Sequence, residues 1–341
     1  MNMMGAPLAL LFLANAAFAQ TARPALSPTT IFSPVSTPAD SIFHLSLFVL
    51  AVAAAIFTVV FSLLIYSLVR FRKRSDDDGR EPPQIYGSNQ VELAWTVVPI
   101  LIVVTLFMAT ARVIAGTLKA SRPSSSVEVV AVGHQFWWEF RYPGLKVVTA
   151  NELHVPLSEP GHPTPTFITL TSADTDHSFW VPRLAGKTDL IPNRVNTMWI
   201  DPHEPGLYLG QCAQYCGTQH AKMLLRVYVQ TRDEFARWIQ EQRQPAHAED
   251  SVYAGRQIFE TTACINCHTV TGTTAHGTFG PDLTHLMSRD TIASGAVPNS
   301  PENLRQWIRN PDAMKPGCRM PAMNLGEREI SAVAAYLETL R

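Results

Sequence analysis

The chain has 341 residues, a formal net charge of −1, 46% hydrophobic residues and five cysteines. That length holds two small soluble domains plus membrane anchors, and so small a net charge provides no electrostatic footprint for nucleic acid. Four cysteines fall in two compact motifs and Cys318 stands apart from them, which excludes a disulfide framework as the organising device.

Residues 1–19 read as a signal peptide. An apolar run from Leu8 to Leu13 leads to Ala17-Phe18-Ala19, a small-residue cleavage pattern before Gln20. The run carries no preceding Lys or Arg and is too short to span a bilayer. Residues 20–40, rich in Pro, Ser and Thr, are expected as an extended outer segment. Two apolar segments without Asp, Glu, Lys or Arg follow, Ser41–Val69 and Leu93–Ala111. Each meets the requirement of about 20 apolar residues for a span, and Pro99 is tolerated in a membrane helix. They predict a transmembrane helical hairpin over residues 41–118; the competing reading is a buried hairpin in a soluble protein. The connecting loop, residues 70–92, carries Arg70-Phe71-Arg72-Lys73-Arg74 and Arg80, which assigns it to the cytoplasm. Both ends of the mature chain then lie on the outer side.

Ser121-Arg122-Pro123 and the serines after it form a short linker. Beyond it, short β-branched and aromatic runs alternate with Pro and Gly. Residues 127–132, 166–171 and 224–229 are expected as strands, within an all-β Greek-key sandwich or barrel over residues 119–230. Phe235, Trp238 and Ile239 at helical spacing predict an amphipathic helix in a linker over residues 231–250. From residue 251 to 341 the pattern is helical, closing with a helix over Glu327–Leu340.

Between the last two expected strands lies Cys212-Ala-Gln-Tyr-Cys216-Gly-Thr-Gln-His220-Ala-Lys-Met223. Thiolate, imidazole and thioether together select copper over hard cations. A mononuclear blue-copper site needs one thiolate, so the second points to a second copper and a binuclear electron-transfer centre. A Cys212–Cys216 disulfide or a zinc site are the competing readings; the first leaves His220 and Met223 unexplained, and thioether is a poor zinc ligand. An upstream imidazole is still required from His134, His154, His162, His177 or His203. His177 is selected because it lies at a strand-like end before Ser178-Phe179-Trp180.

Further on, Cys264-Ile-Asn-Cys267-His268 reads as a covalent haem site, with a redox dithiol or zinc knuckle as the alternative. A low-spin haem needs a sixth ligand, usually Met or His. Met320, in Lys315-Pro316-Gly317-Cys318-Arg319-Met320-Pro321 just before the final helix, is preferred to Met323; Met314 and Met287 read as packing residues, and His276 and His285 are also available. Cys318 reads as a small buried apolar residue.

The runs Asp174–Pro182, Gly186–Arg194 and the copper loop resemble cytochrome c oxidase subunit II, as do Gly133-His134-Gln135-Phe136-Trp137-Trp138-Glu139-Phe140 and Val91–Pro99. The resemblance covers roughly residues 40–230. It implies a cupredoxin domain with the binuclear CuA centre, in which Cys212 and Cys216 bridge two coppers. His177 and Met223 would complete one copper, and His220 with the backbone carbonyl of Gln214 the other. Glu92 matches the family's carboxylate at the mouth of a proton path into subunit I. Two departures stand out. Gln214 replaces a Glu whose side chain binds magnesium at the subunit interface in many members, and an amide is a weaker ligand, so magnesium does not carry over with equal force. Phe136 replaces the Trp through which many members receive electrons.

Residues 251–341 resemble an all-α class I cytochrome c domain. Gly255 and Phe259 on one helix would cross Tyr336 and Leu337 on the last, and the Pro281 carbonyl would receive the His268 N–H. Together the resemblances imply a subunit II with its own cytochrome c, as in caa-type haem-copper oxidases of the bacterial inner membrane. Implied partners are subunit I, subunit III, and cytochrome c or a membrane cytochrome complex as donor. Residues 251–341 hold eight basic and eight acidic side chains, so electrostatic steering of that donor is expected to be weak. The alternatives are the CuA subunit of a nitric oxide reductase and a membrane-anchored copper-delivery protein.

Overall fold

The computed structural model describes residues 29–72, 84, 86–246 and 250–341. The expected signal peptide and most of the basic loop, including Lys73, Arg74 and Arg80, lie outside the described residues.

Two long helices come first, α1 (Thr37–Arg70) and α2 (Asn89–Leu118). Pro38 sits in the first turn of α1, where its missing N–H costs nothing. At 1.5 Å per residue they run roughly 50 and 45 Å, against about 30 Å for a bilayer core. Among the described residues these two helices are long and apolar enough to cross a membrane. Only Pro38 and Ala39 of α1, and none of α2, are buried by protein, while Leu63, Val69, Phe107 and Leu118 are more than 60% exposed. An apolar surface left uncovered by protein is what lipid covers. The segment before α1 is fastened to the β domain: the Val35 N–H donates to the Arg183 carbonyl at 3.0 Å, and fully buried Ser36 donates to Asp201. At the far end of α2, the Trp199 indole donates to the Thr117 carbonyl at 2.8 Å.

Ten strands build the β domain: β1 (Val127–His134), β2 (Trp137–Tyr142), β3 (Val147–Ala150), β4 (Glu152–Pro156), β5 (Thr166–Ser172), β6 (His177–Trp180), β7 (Thr188–Leu190), β8 (Asn196–Ile200), β9 (Gly206–Cys212) and β10 (Leu224–Gln230). They form two five-stranded sheets, ordered β3-β2-β1-β5-β8 and β4-β10-β9-β6-β7. β1 pairs with β5 in parallel and β10 with β4 in parallel, so the chain changes sheets after β3, as a cupredoxin-like sandwich requires. Alternation along β10 buries Leu225, Val227 and Val229, following the period of two of a strand with one face in the core. Opposite them, Trp138, Phe140 and Tyr142 of β2 are completely buried.

The helix expected in the linker, α3 (Arg232–Gln242), is capped by a Thr231/Glu234 capping box. It buries Phe235, Trp238 and Ile239 in the sandwich core, and Trp238 stacks on His154 at 4.1 Å. The apolar stripe that marked it as amphipathic thus belongs to the sandwich itself.

The C-terminal domain holds α4 (Tyr253–Thr261), α5 (Cys264–Cys267), α6 (Pro301–Arg309), α7 (Pro311–Met314) and α8 (Glu327–Leu337), with a two-residue strand pair, β11 (Thr291–Ile292) and β12 (Val297–Pro298). α4 and α8 cross at Gly255, where an added Cβ would lie 1.9 Å from the Ala332 carbonyl oxygen. Phe259 and Tyr336 meet there at 5.7 Å. α8 ends at Leu337, short of the expected Leu340. The chain tightens because Leu340 turns inward, is fully buried, and accepts the Met287 N–H at 2.8 Å.

Candidate metal and haem centres

β6 and β9 are neighbours, with Phe179 opposite Cys212. This register sets His177, the first residue of β6, beside Cys212, the last residue of β9. The loop from Cys212 then turns back to Met223 before β10, and the Cys212 N–H donates to the Met223 carbonyl at 3.0 Å. His177 Nδ1 lies 3.9 Å from Cys212 Sγ, and His220 Nδ1 lies 3.7 Å from Cys216 Sγ. Met223 Sδ is 3.9 Å from Cys216 Sγ, and the Gln214 carbonyl is 3.1 Å from Cys212 Sγ. The two sulfurs are 3.9 Å apart, far beyond the roughly 2.05 Å of a disulfide. His177, Met223 and both cysteines are at most 4% exposed. The structure therefore brings the six expected donor groups together at one end of the sandwich.

Burial alone would lower the His177 pKa, but Asp174 and Cys212 beside it raise it overall. Asp174 Oδ1 accepts a hydrogen bond from His177 Nε2 at 2.8 Å, which turns Nδ1 toward the sulfur. This orienting carboxylate, three residues before the ligand, lies within a quoted motif, yet its role needed the structure to be seen. The Cys212 thiol is lowered by its contact with Cys216, and that of Cys216 is raised by the same contact. A pair of close sulfurs that cannot comfortably share negative charge is the setting in which cations bind in place of protons. The donors present fit soft copper ions.

The remaining upstream histidines are placed elsewhere. His134 stacks on Trp137 and pairs with Glu139, His154 lies between Tyr228 and Trp238, His162 closes an exposed turn, and His203 neighbours Asp201. The Gln214 side chain is exposed, and Glu92 is exposed in the first turn of α2.

In the C-terminal domain, an apolar crevice is lined by Cys264, Cys267, His268, Met320, Met323 and Cys318, among others. His268 Nδ1 donates to the Pro281 carbonyl at 2.7 Å, leaving Nε2 for an iron. Burial lowers the pKa of this imidazole, as a neutral ligand requires. Gly280 packs on the ring so closely that an added Cβ would lie 2.6 Å from Cε1. Neither Met314, Met287, His276 nor His285 lines the crevice. Cys318 is half-buried, with its sulfur 3.5 Å from the Met320 carbonyl. Arg289, unsuspected in the sequence, also lines the crevice, 8% exposed, with Nε lacking a hydrogen-bond partner among the described residues. The same guanidinium donates from Nη2 to the Asp282 carbonyl at 2.6 Å. A buried cation with one N–H left over beside a thiol-and-imidazole crevice fits a haem bearing anionic propionates.

The chain matches three families in succession: the transmembrane domain of cytochrome c oxidase subunit II over residues 27–112, its periplasmic domain over residues 160–230, and cytochrome c over residues 252–341. It is 35% identical over 324 residues to cytochrome c oxidase subunit 2 of Alkalihalophilus pseudofirmus, covering 92% of this chain and 91% of that one. It belongs to the cytochrome c oxidase subunit II family. A second relative, cytochrome c oxidase subunit 2 of Bacillus sp. strain PS3, is 32% identical, with 80% of each chain covered. The solved periplasmic domain of subunit II of cytochrome oxidase from Bradyrhizobium japonicum is 28% identical, covering 36% of this chain and 96% of that chain, at a TM-score of 0.33. This subunit II thus combines a two-helix membrane anchor, a CuA-type β domain and a cytochrome c domain, as its motifs led one to expect. Membership implies haem c and CuA, an oxidase complex with subunit I, and residence in the inner membrane.

Proposed function

We propose that this chain receives electrons from an outside donor and delivers them to the catalytic subunit of a proton-translocating terminal oxidase. The observation that carries the reading is the gathering of His177, Cys212, Gln214 O, Cys216, His220 and Met223 in one buried cluster, next to a crevice built around Cys264, Cys267 and His268. When bound, a copper pair and a haem c supply one-electron carriers in series between the donor and the haem-copper centre of subunit I, where oxygen becomes water.

The work of this chain's own residues is holding and excluding. Cys212, Cys216, His177, His220, Met223 and the Gln214 carbonyl would hold the copper pair, while Asp174 fixes the His177 ring. The Pro281 carbonyl fixes His268, Cys264 and Cys267 would form the thioether bonds, and Met320 from the crevice wall would join His268 in holding the iron. Trp138 and Phe179, both buried, wall the copper loop from water, which favours a rigid geometry with little rearrangement on electron transfer. Glu92, at the N-terminus of α2, would stand at the mouth of the proton path. Residues 70–92 would face the cytoplasm, with both cofactor domains outside. Subunit III, and cytochrome c or a membrane cytochrome complex as donor, complete the assignment; magnesium with Gln214 is not part of it. Glu92 and the appended cytochrome favour this over the CuA subunit of a nitric oxide reductase. They also favour it over a copper-delivery protein, which needs neither haem nor Met223.

Copurification from membranes with metal and haem analysis tests the proposal. A copper pair and one covalent haem on this chain, beside a subunit bearing non-covalent haems that consumes oxygen, is the expected result. A chain that matures without copper, or a partner subunit reducing nitric oxide alone, would overturn it.

A further inference from the structure

The two cofactor sites are joined by one side chain that neither site needs for its own construction. Gln135 occupies the two-residue turn between β1 and β2. Its Nε2 donates to the Cys216 carbonyl at 2.6 Å, and its Oε1 accepts from the guanidinium of Arg319, the residue before Met320. Its backbone N–H donates to Asp174 at 2.6 Å, the carboxylate that orients His177. The segment carrying Arg319 is seated on the copper loop along its length. Lys315, 2% exposed, donates to the carbonyls of Phe136 at 2.9 Å and Ala293 at 3.1 Å. Gln219 donates to the Pro316 carbonyl, and a Cβ on Gly317 would lie 2.8 Å from Thr218 Oγ1. Phe136 and Trp137 line the haem crevice, and Phe136 also backs onto Gly217, where a Cβ would lie 3.1 Å from the ring.

Electronic coupling falls steeply across empty gaps and far less across bonded and hydrogen-bonded atoms. We propose that Gln135 is a positioning residue for electron transfer between the two sites: it seats the Met320 loop on the Cys216 loop and closes the hydrogen-bonded connection between them. The proposal rests on reading the sites as haem c and a copper pair. One electron passes from haem to copper, oxidising the first and reducing the second; no bond is made or broken and no proton moves. The cytochrome domain is then a docked partner rather than a swinging tether.

The test uses the purified oxidase complex with the full chain, as wild type, Gln135→Leu and Gln135→Glu. The Leu variant loses both side-chain bonds; the Glu variant keeps an acceptor for Arg319 and loses the donor to Cys216. Three readouts are taken: the haem and paired-copper spectra, the first-order rate of haem c oxidation after flash reduction, and amide exchange at Leu224 and Thr291. Both of those N–H groups bond across the domain interface, to Ser294 and Glu152. Both variants should keep both spectra. Gln135→Leu should speed exchange severalfold and slow transfer severalfold, whereas Gln135→Glu should slow transfer with exchange near wild type. Unchanged transfer in both variants overturns the proposal, and wild-type transfer in the Glu variant overturns the Cys216 connection. A wild type without the paired-copper signal would overturn the functional reading beneath it instead.

Discussion

At the scale of single residues, the candidate copper site pairs a set of proposed ligands with separate groups that aim them. Asp174 coordinates nothing in the proposed site, yet it accepts a hydrogen bond from His177 Nε2 at 2.8 Å and so decides which nitrogen faces Cys212. Removing such a partner typically lowers metal affinity about 10–100-fold. Asp174→Asn is therefore expected to weaken copper binding by that order in a competitive chelator titration, with the sandwich still folded. Met223 calls for a different substitution. It is completely buried, so truncation to Ala would open a cavity at about 2–5 kcal/mol and confuse coordination with packing. Met223→Leu conserves volume and removes only the thioether; a changed copper spectrum and a slower internal transfer are expected. An unaltered spectrum would strike Met223 from the ligand set.

Elements decide how those residues meet. Their motifs were legible because the chemistry-bearing side chains are close in sequence: Cys212 to Met223 within one loop, and Cys264 to His268 within one turn and its end. His177 lies 35 residues before Cys212 in the chain, and only the pairing of β6 with β9 places it against that cysteine. Likewise, the stripe Phe235, Trp238, Ile239 was visible as a helix face, but a stripe does not say which surface covers it. In the cytochrome domain the decisive element contact is the crossing of α4 and α8 at Gly255. With the Ala332 carbonyl 1.9 Å from where a Cβ would stand, even Gly255→Ala must push the helices apart. Overpacking of this kind costs about 1–3 kcal/mol, and denaturant unfolding of the haem-loaded chain should register a loss of that size.

At the scale of the whole molecule, the cytochrome domain is fastened to the sandwich by buried polar groups. Glu152, 2% exposed at the start of β4, accepts from the Thr291 N–H at 3.0 Å, the Thr291 hydroxyl at 2.9 Å and the Asp290 N–H at 3.2 Å. Tyr228 donates to the Asp290 carboxylate at 2.7 Å. Burial pushes the Glu152 pKa up to about 7, with the Asp290 charge adding to the rise, against the hydrogen bonds from Thr291 and Asp290 and the nearby Arg289 charge. An acid whose pKa is raised on docking binds its proton more tightly in the docked form. Its contribution to docking is thus fully present below the ordinary carboxylate range and is lost as pH climbs through about 7. Exchange at the Thr291 amide, corrected for its intrinsic pH dependence, should accelerate across that window and level off above it. Glu152→Gln should flatten the profile; a profile unchanged by that substitution would remove Glu152 as its source.

By itself, the sequence already declares two membrane helices, a β and a helical domain, and the candidate donor residues of both proposed centres that lie close together in the chain, because runs of apolar residues and tight ligand spacing are local properties. What no local pattern contains is which distant groups are brought opposite one another. Asp174 behind His177, Arg289 in the haem crevice, Lys315 beneath Phe136 and Gln135 between Arg319 and Cys216 all depend on strand register and domain docking. Those arise from burying separate stretches of chain against each other, and so they exist only once the tertiary structure has formed.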